Sequence, residues 1–319
     1  MDQPGLNHCD VLSKDPAALA DCPADRAPLA YDMRLFLLTA LTMTAFAANS
    51  VLNRAGVGPG LIDPVGFAVV RLLAGAGMLA ALVAGRRLAT GRPLWPGRSG
   101  RIAGALSLLV YLFGFSLAYG ALDAGTGALI LFGMVQITMF AGAILARERV
   151  PARRWLGSAL AFLGLVYLFA PGSGANDSLP HAGLMAAAGI GWGVYSLSAR
   201  GATDPLGATA WNFVLAVPVA LFLVAVLPIM PETVPATWQG LLLAAVSGAL
   251  TSGLGYALWY SVLPALGAAR AGVAQLTVPL IALAGGMVFL GEGLTLRFLF
   301  SAILVLGGVA LALKSPRQG

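Results

Sequence analysis

From residue 34 onward, long apolar stretches alternate with short polar links, and neither the two-residue period of a half-buried strand nor a one-sided helical stripe dominates. Apolar segments lie near 34–53, 64–84, 102–121, 124–146 and 154–170, and again near 182–199, 206–227, 239–260, 267–289 and 295–313. Each approaches the ~20 residues that a helix needs to cross a bilayer. A chain in hydrocarbon must satisfy its backbone internally, which leaves helices as the reading for runs of this length. The pattern predicts an all-α membrane protein of ten transmembrane helices. The 102–121 and 124–146 segments form a tight helical hairpin.

Composition agrees: of 319 residues, 59% are hydrophobic and 10% charged, far below the roughly 25% charged residues of a soluble domain. The net charge of +6 comes from arginine. A basic balance can signal nucleic acid, but these arginines sit in short links between apolar runs, so no nucleic-acid partner is expected. Five lie in 85–101 and four in 146–154, whereas the links near 122–124, 171–181 and 228–238 hold no Lys or Arg. Positive loops stay on the cytoplasmic side. Ten spans then put both termini in the cytoplasm of a bacterial-type inner membrane. In the second half Arg200 and Arg270 fall inside and Arg297 outside, so the orientation rests on the first half.

Residues 1–33 differ from the rest, with scattered Asp and Pro and no apolar face. They read as a disordered tail, and Met33 offers an alternative start. Cys9 and Cys22, the only cysteines, lie there and match no metal spacing. Residues 314–319 form a short cytoplasmic tail.

The two halves, 34–170 and 182–313, resemble each other. Ser50 and Arg54 match Ser196 and Arg200, and Asp63-Pro64 matches Asp204-Pro205. Gly142, Glu148 and Gly164 match Gly286, Glu292 and Gly308 at one offset, and Tyr119 and Leu122 match Tyr260 and Leu263. Five spans per half is an odd number, so the repeats are inverted, the architecture of secondary transporters.

The runs AFAANSVLNRAG and IDPVGFAVVRLLAGA, with the helix ends ARERVPARRWLG and LGEGLTLRFLFS, resemble the drug/metabolite transporter superfamily, and within it the ten-helix EamA-type exporters. The resemblance covers about residues 34–313. It implies a five-plus-five inverted repeat, a cavity lined mainly by helices 1, 3, 4, 6, 8 and 9, and export of an amino acid or related metabolite. Two departures stand out. Helix 4 has no counterpart of Pro279, and Arg147 stands where the second half has Gly291.

Candidate substrate-binding residues follow from polar groups at membrane depth. Arg71 lies seven residues past Pro64, roughly 10 Å into its helix; a charge there is functional by default, unless it snorkels or pairs with Asp63. In the recognition reading it favours a substrate with a carboxylate or another acceptor. Asn212 is its counterpart in the second half. Asn49 and Asn53 share one helix face and either line the cavity or bond neighbouring helices. Trp192 and Tyr195 share the matching face of helix 6. Tyr111, Gln136, Ser252, Tyr256 and Gln275 complete a mostly apolar pocket with a few amides and hydroxyls, suited to an amphipathic small molecule. Singly, each is equally an interhelical hydrogen bond. Pro218 and Pro279 predict kinks, and Gly189 and Gly193 a close helix contact. Glu148 and Glu292 read as helix caps or partners of nearby arginines such as Arg147 and Arg297.

Several classes are excluded. No GxxxxGK[ST] loop is present, so the chain does not hydrolyse ATP by that route. No metal-binding cluster and no cofactor are expected, and no mid-helix Asp, Glu, His or Cys offers an enzyme its base or nucleophile. The expected partners are a small-molecule substrate and the lipid bilayer, with a homodimer left open. The alternatives to export are uptake of a vitamin or nucleoside-like metabolite and, from another class, a membrane-embedded enzyme or non-transporting scaffold.

Overall fold

The computed structural model describes residues 27–91, 93–97, 100–147, 151–168, 179–198, 202–226 and 235–313. The described residues are helical, with no strand among them. The first half comprises α1 (Ala27–Val57), α2 (Pro64–Thr90), α3 (Arg101–Ala118), α4 (Ala124–Leu145) and α5 (Ala152–Leu168). The second comprises α6 (Leu179–Ser198), α7 (Pro205–Val226), α8 (Trp238–Val246), a π-helical stretch (Ser247–Leu254), α9 (Gly255–Gln275), α10 (Thr277–Leu290) and α11 (Leu296–Leu313). Eight helical segments among the described residues are long and apolar enough to cross a membrane; α5 and α6 accompany them. The chain is an all-α, multi-pass membrane protein.

Local chemistry sets several helix ends. Asp63 caps α2 by accepting from the Gly66 N–H at 2.7 Å, with Pro64 in the first turn, where its missing N–H costs nothing. Asp204 repeats the device on the Gly207 N–H at 3.1 Å before Pro205. Gly291 ends α10 in the left-handed conformation at φ 68°, and Arg147, its counterpart after α4, adopts φ 55°. The sequence departure therefore keeps the backbone shape, against the preference of a residue that carries a Cβ.

Exchanging the halves leaves the main packing partners unchanged. α3 lies on α6 as α1 lies on α8, the π stretch and α9; α6 lies on α4 as α1 lies on α10; α2 lies against α7, and α5 against α11. Glycine permits the closest approaches. A Cβ on Gly157 or Gly308 would meet the other helix's backbone, and Gly189 and Gly193 sit against Met134 and Thr138 of α4.

Three expectations shift. The disordered tail was expected to reach residue 33, but α1 already begins at Ala27, because helix-forming residues extend the apolar run backward; residues 1–26 lie outside the described ones. No non-helical link separates the expected helices 239–260 and 267–289, since α9 continues through Pro264. The interruption falls instead at Leu276, where Pro279 cannot donate to the carbonyl of Gln275 and helical bonding is lost. Finally, Glu292 caps a helix as expected, but the helix is the distant α4 and the arginine beside it is Arg54, while Arg297 stacks on Tyr167 at 5.6 Å. Glu292 accepts the Ala124 N–H at 2.9 Å and lies 3.7 Å from Arg54. Glu148 falls outside the described residues.

Candidate functional site

The centre of the bundle holds a polar network on an aromatic bed. Arg71 is fully buried, at 0% exposure. Its Nη2 donates to the Tyr111 hydroxyl at 2.7 Å and its Nε to Ser252 Oγ at 3.2 Å, while Nη1 has no hydrogen-bond partner. The guanidinium carbon stands 4.8 Å from the Phe115 ring centre and 5.2 Å from that of Tyr111. Asp63 is occupied in capping α2, so the expected alternatives of snorkelling and of pairing with Asp63 both fail. A guanidinium in such surroundings carries a large desolvation cost.

Asn49 gathers three hydroxyls onto its Oδ1, from Ser247 at 2.8 Å, Thr251 at 2.5 Å and Ser252 at 3.4 Å. The π-helical stretch makes this convergence achievable. Bonding from i to i+5 widens the turn and brings Ser252, five residues past Ser247, toward the same side. Gly248 lets this stretch press against the backbone carbonyl of Arg71, where a Cβ would collide. Ser252 thus links Arg71 on α2 to Asn49 on α1.

The rings form a continuous wall. Trp192 stacks between Tyr195 and Tyr256, with centroids 5.2 Å apart on each side and interplanar angles of 17° and 20°. Tyr111 approaches Trp192 at 5.0 Å. Phe46, Asn49, Ser50, Tyr111, Phe115, Leu131, Phe132, Trp192 and Tyr256 enclose a cavity of about 20 Å³. That is room for a water or two, so the bundle is in a closed state. The lining comes from α1, α3, α4, α6 and α9; the helix after the expected loop at 261–266 supplies none of it.

Both ends are tied shut. At one, Arg54 donates to the Tyr119 carbonyl at 3.1 Å and lies near Asp123 at 3.8 Å and Glu292 at 3.7 Å. An open vestibule of about 360 Å³ borders this cluster. Burial pushes the Glu292 carboxyl above the usual carboxylate range, helped by Asp123 and opposed by the Ala124 N–H and Arg54. At the other end, Arg86 forms a two-point pair with Asp204 at 2.8 and 2.5 Å. There too the Tyr195 hydroxyl meets Thr209 at 2.8 Å, and Thr209 meets Tyr260 at 3.0 Å.

Of the residues expected at the site, Asn49, Tyr111, Trp192 and Tyr256 line the cavity, and Arg71 and Ser252 lie just behind it. Asn53 is buried beside it, donating to Ser116 Oγ at 2.8 Å with its Oδ1 unpartnered. Tyr195 buttresses Trp192 and serves the end closure. Asn212 is buried against Gly104 of α3 with its Oδ1 unpartnered, away from the lining. Two residues are displaced. Gln136 faces a crevice with Arg154, Ser158 and Leu313 between α4, α5 and α11, and Gln275, half-buried beside the break at Leu276, is not part of the cavity wall. Sequence reasoning missed Ser247, Thr251 and the π-helical stretch. The small-residue run SGALTSGL was their only signal.

A buried polar centre between two sealed ends of a multi-pass helical bundle defines a membrane transporter. Comparison with known proteins gives the family: the chain belongs to the EamA-like transporter family, within the drug/metabolite transporter superfamily, and the family model matches residues 180–314. An uncharacterized protein of Pseudomonas aeruginosa is 46% identical over 288 residues, covering 90% of this chain and 97% of its own. An uncharacterized transporter of Archaeoglobus fulgidus is 24% identical over 66% of this chain and 75% of its own. The uncharacterized transporter YoaV of Bacillus subtilis is 23% identical over 60% and 68%. One crystal structure superposes with a TM-score of 0.58 at 18% identity, over 88% of this chain and 97% of its own; a likeness at that identity concerns the fold.

Proposed function

We propose that this protein is a secondary transporter that exports an amino acid or related small metabolite across a bacterial-type inner membrane by alternating access, with both termini cytoplasmic. The observation that carries the reading is a buried polar centre, Arg71 with Ser252 and Asn49, enclosed between two separate closures in a bundle whose halves exchange packing roles. Two nearly equivalent packings of such halves expose one site to either side in turn. Arg71, Asn49, Tyr111, Trp192, Ser252 and Tyr256 form the substrate site, with Asn53, Tyr195 and Asn212 as its polar border. The arginine-rich 85–101 and 146–154 segments supply the orientation. In this frame the Arg54–Glu292 cluster is the outer closure and the Arg86–Asp204 pair the inner one.

Counterflow tests the reading. Proteoliposomes loaded with unlabelled amino acids, assayed singly and in groups, should accumulate the corresponding labelled solute transiently and saturably. Absence of counterflow across the whole amino-acid set would remove the amino-acid assignment.

A further inference from the structure

Transport by alternating access does not in itself require a buried cation, yet this bundle holds one without a counter-anion. Arg71 is fully buried, and its two occupied nitrogens meet only neutral hydroxyls. Among the described residues, no carboxylate pairs with Arg71, the buried Glu292 side chain being engaged with Ala124 and Arg54 at the end of the bundle, and the sequence places no Asp or Glu deep within a span. Arg101, the other buried cation, donates to the Ala208 carbonyl at the α7 end. A desolvated guanidinium with a vacant N–H is a strong acceptor-seeking group, and a carboxylate fits its planar fork in two-point geometry.

We propose that the transported species is an organic anion, a carboxylate on a compact apolar or aromatic body, and that Arg71 receives the carboxylate when Tyr111 gives way. This rests on the transport reading above and names its substrate class. Tyr111 occupies the decisive position, because its hydroxyl holds Nη2 at 2.7 Å while its ring lines the cavity. With Phe115 it forms the layer between guanidinium and cavity. Rotation of Tyr111 frees Nη2 beside the already vacant Nη1. The carboxylate then takes both, and the charge in the centre is balanced during passage. The apolar body rests against Phe46, Leu131, Phe132, Trp192 and Tyr256. An ammonium group on the substrate finds no carboxylate in the lining. The lining amide oxygen, Asn49 Oδ1, already receives three hydroxyls. Recognition is therefore through the carboxylate, and an α-amino group is tolerated but dispensable.

Three probes with one ring separate the charges: 3-phenylpropionate, phenylalanine and phenethylamine. Their effect on the melting temperature and their binding heat would be measured on the purified full chain in lipid nanodiscs. Both carboxylates should bind saturably and phenethylamine should not. Arg71→Lys should weaken the carboxylates and Arg71→Gln should abolish their binding. Tyr111→Phe keeps the ring and removes the competing hydroxyl, so it should tighten carboxylate binding by about three- to tenfold, the worth of one hydrogen bond; this variant answers the question even if Arg71→Gln does not fold. Equal binding of phenethylamine, no binding of either carboxylate, or weaker binding to Tyr111→Phe would each overturn the proposal. Counterflow in liposomes keeps the two claims apart. Carboxylate binding without counterflow removes the transport reading and leaves the anion site, whereas counterflow of uncharged or cationic solutes that Arg71→Gln leaves intact removes the anion site alone.

Discussion

Asp63 and Asp204 make the same cap at the start of α2 and α7, but only Asp204 also holds an arginine, Arg86, at 2.8 and 2.5 Å. The asymmetry separates two effects that usually travel together. Asparagine caps a helix nearly as well as aspartate, so Asp63→Asn should leave the melting temperature almost unchanged. Asp204→Asn keeps the cap but leaves Arg86 partly buried without its anion, at a cost of roughly 1.5–3 kcal/mol. Thermal unfolding of the two variants in one detergent is the check. Equal losses would mean that the ion pair contributes nothing.

Arg147 offers a gain. Its φ of 55° belongs to the region where a Cβ costs about 1–2 kcal/mol, and its counterpart Gly291 fills that shape freely at φ 68°. Arg147→Gly should therefore raise the unfolding temperature. A fall would show that the Arg147 side chain contributes more than the backbone strain takes away.

The Glu292 carboxyl titrates above the usual range because it is buried, with Asp123 adding to the rise and the Ala124 N–H and Arg54 opposing it. A carboxyl whose folded-state value is raised binds its proton more tightly when folded. Its contribution is therefore fully present below the ordinary glutamate value and fades as pH rises through the folded-state value. The melting temperature of the parent minus that of Glu292→Gln should decline across that window as pH increases. A difference that grows with pH would reverse the assignment.

How far the sequence could be read is clearest at particular residues. The depth of Arg71 and the glycine contacts of α6 were legible because each depends on neighbours within a turn or two, whereas Asp63-Pro64 and Asp204-Pro205 were legible only as a match between the halves. The paired positions of Arg147 and Gly291 were legible through the repeat. What escaped depended on partners far along the chain. The π-helical stretch is stabilised by hydroxyls meeting Asn49 from 198–203 residues away. Glu292 caps α4 across 168 residues, and no local signal favours Ala124 over Arg297. Gln136 was misread because a polar residue on a membrane helix must face protein, yet a helix in a ten-membered bundle has protein on more than one side. Its crevice with Arg154 satisfies that rule as well as the central cavity would.

Coupling can be judged from the same residues. No carboxylate lies deep within a span, so a midplane proton relay through Asp or Glu is not available. Exchange of labelled substrate should proceed after the pH gradient is collapsed with an ionophore. Loss of exchange under those conditions would return attention to Glu292 and its cluster.

The central claim is that one cavity opens to each side in turn, and it can be tested before any substrate is known. Cys9 and Cys22 are the only cysteines, so replacing both with serine gives a thiol-free background. Ser50 lines the closed cavity, and Ser50→Cys places a thiol there with little change in size. Exposed Leu88 at the end of α2, as Leu88→Cys, reports the side that the proposed topology makes cytoplasmic. The measurement is labelling by a membrane-impermeant maleimide in right-side-out and in inside-out vesicles. The account predicts that the thiol at position 50 reacts from both sides and that the one at position 88 reacts only in inside-out vesicles. Labelling of position 50 from one side alone, or from neither, would contradict alternating access.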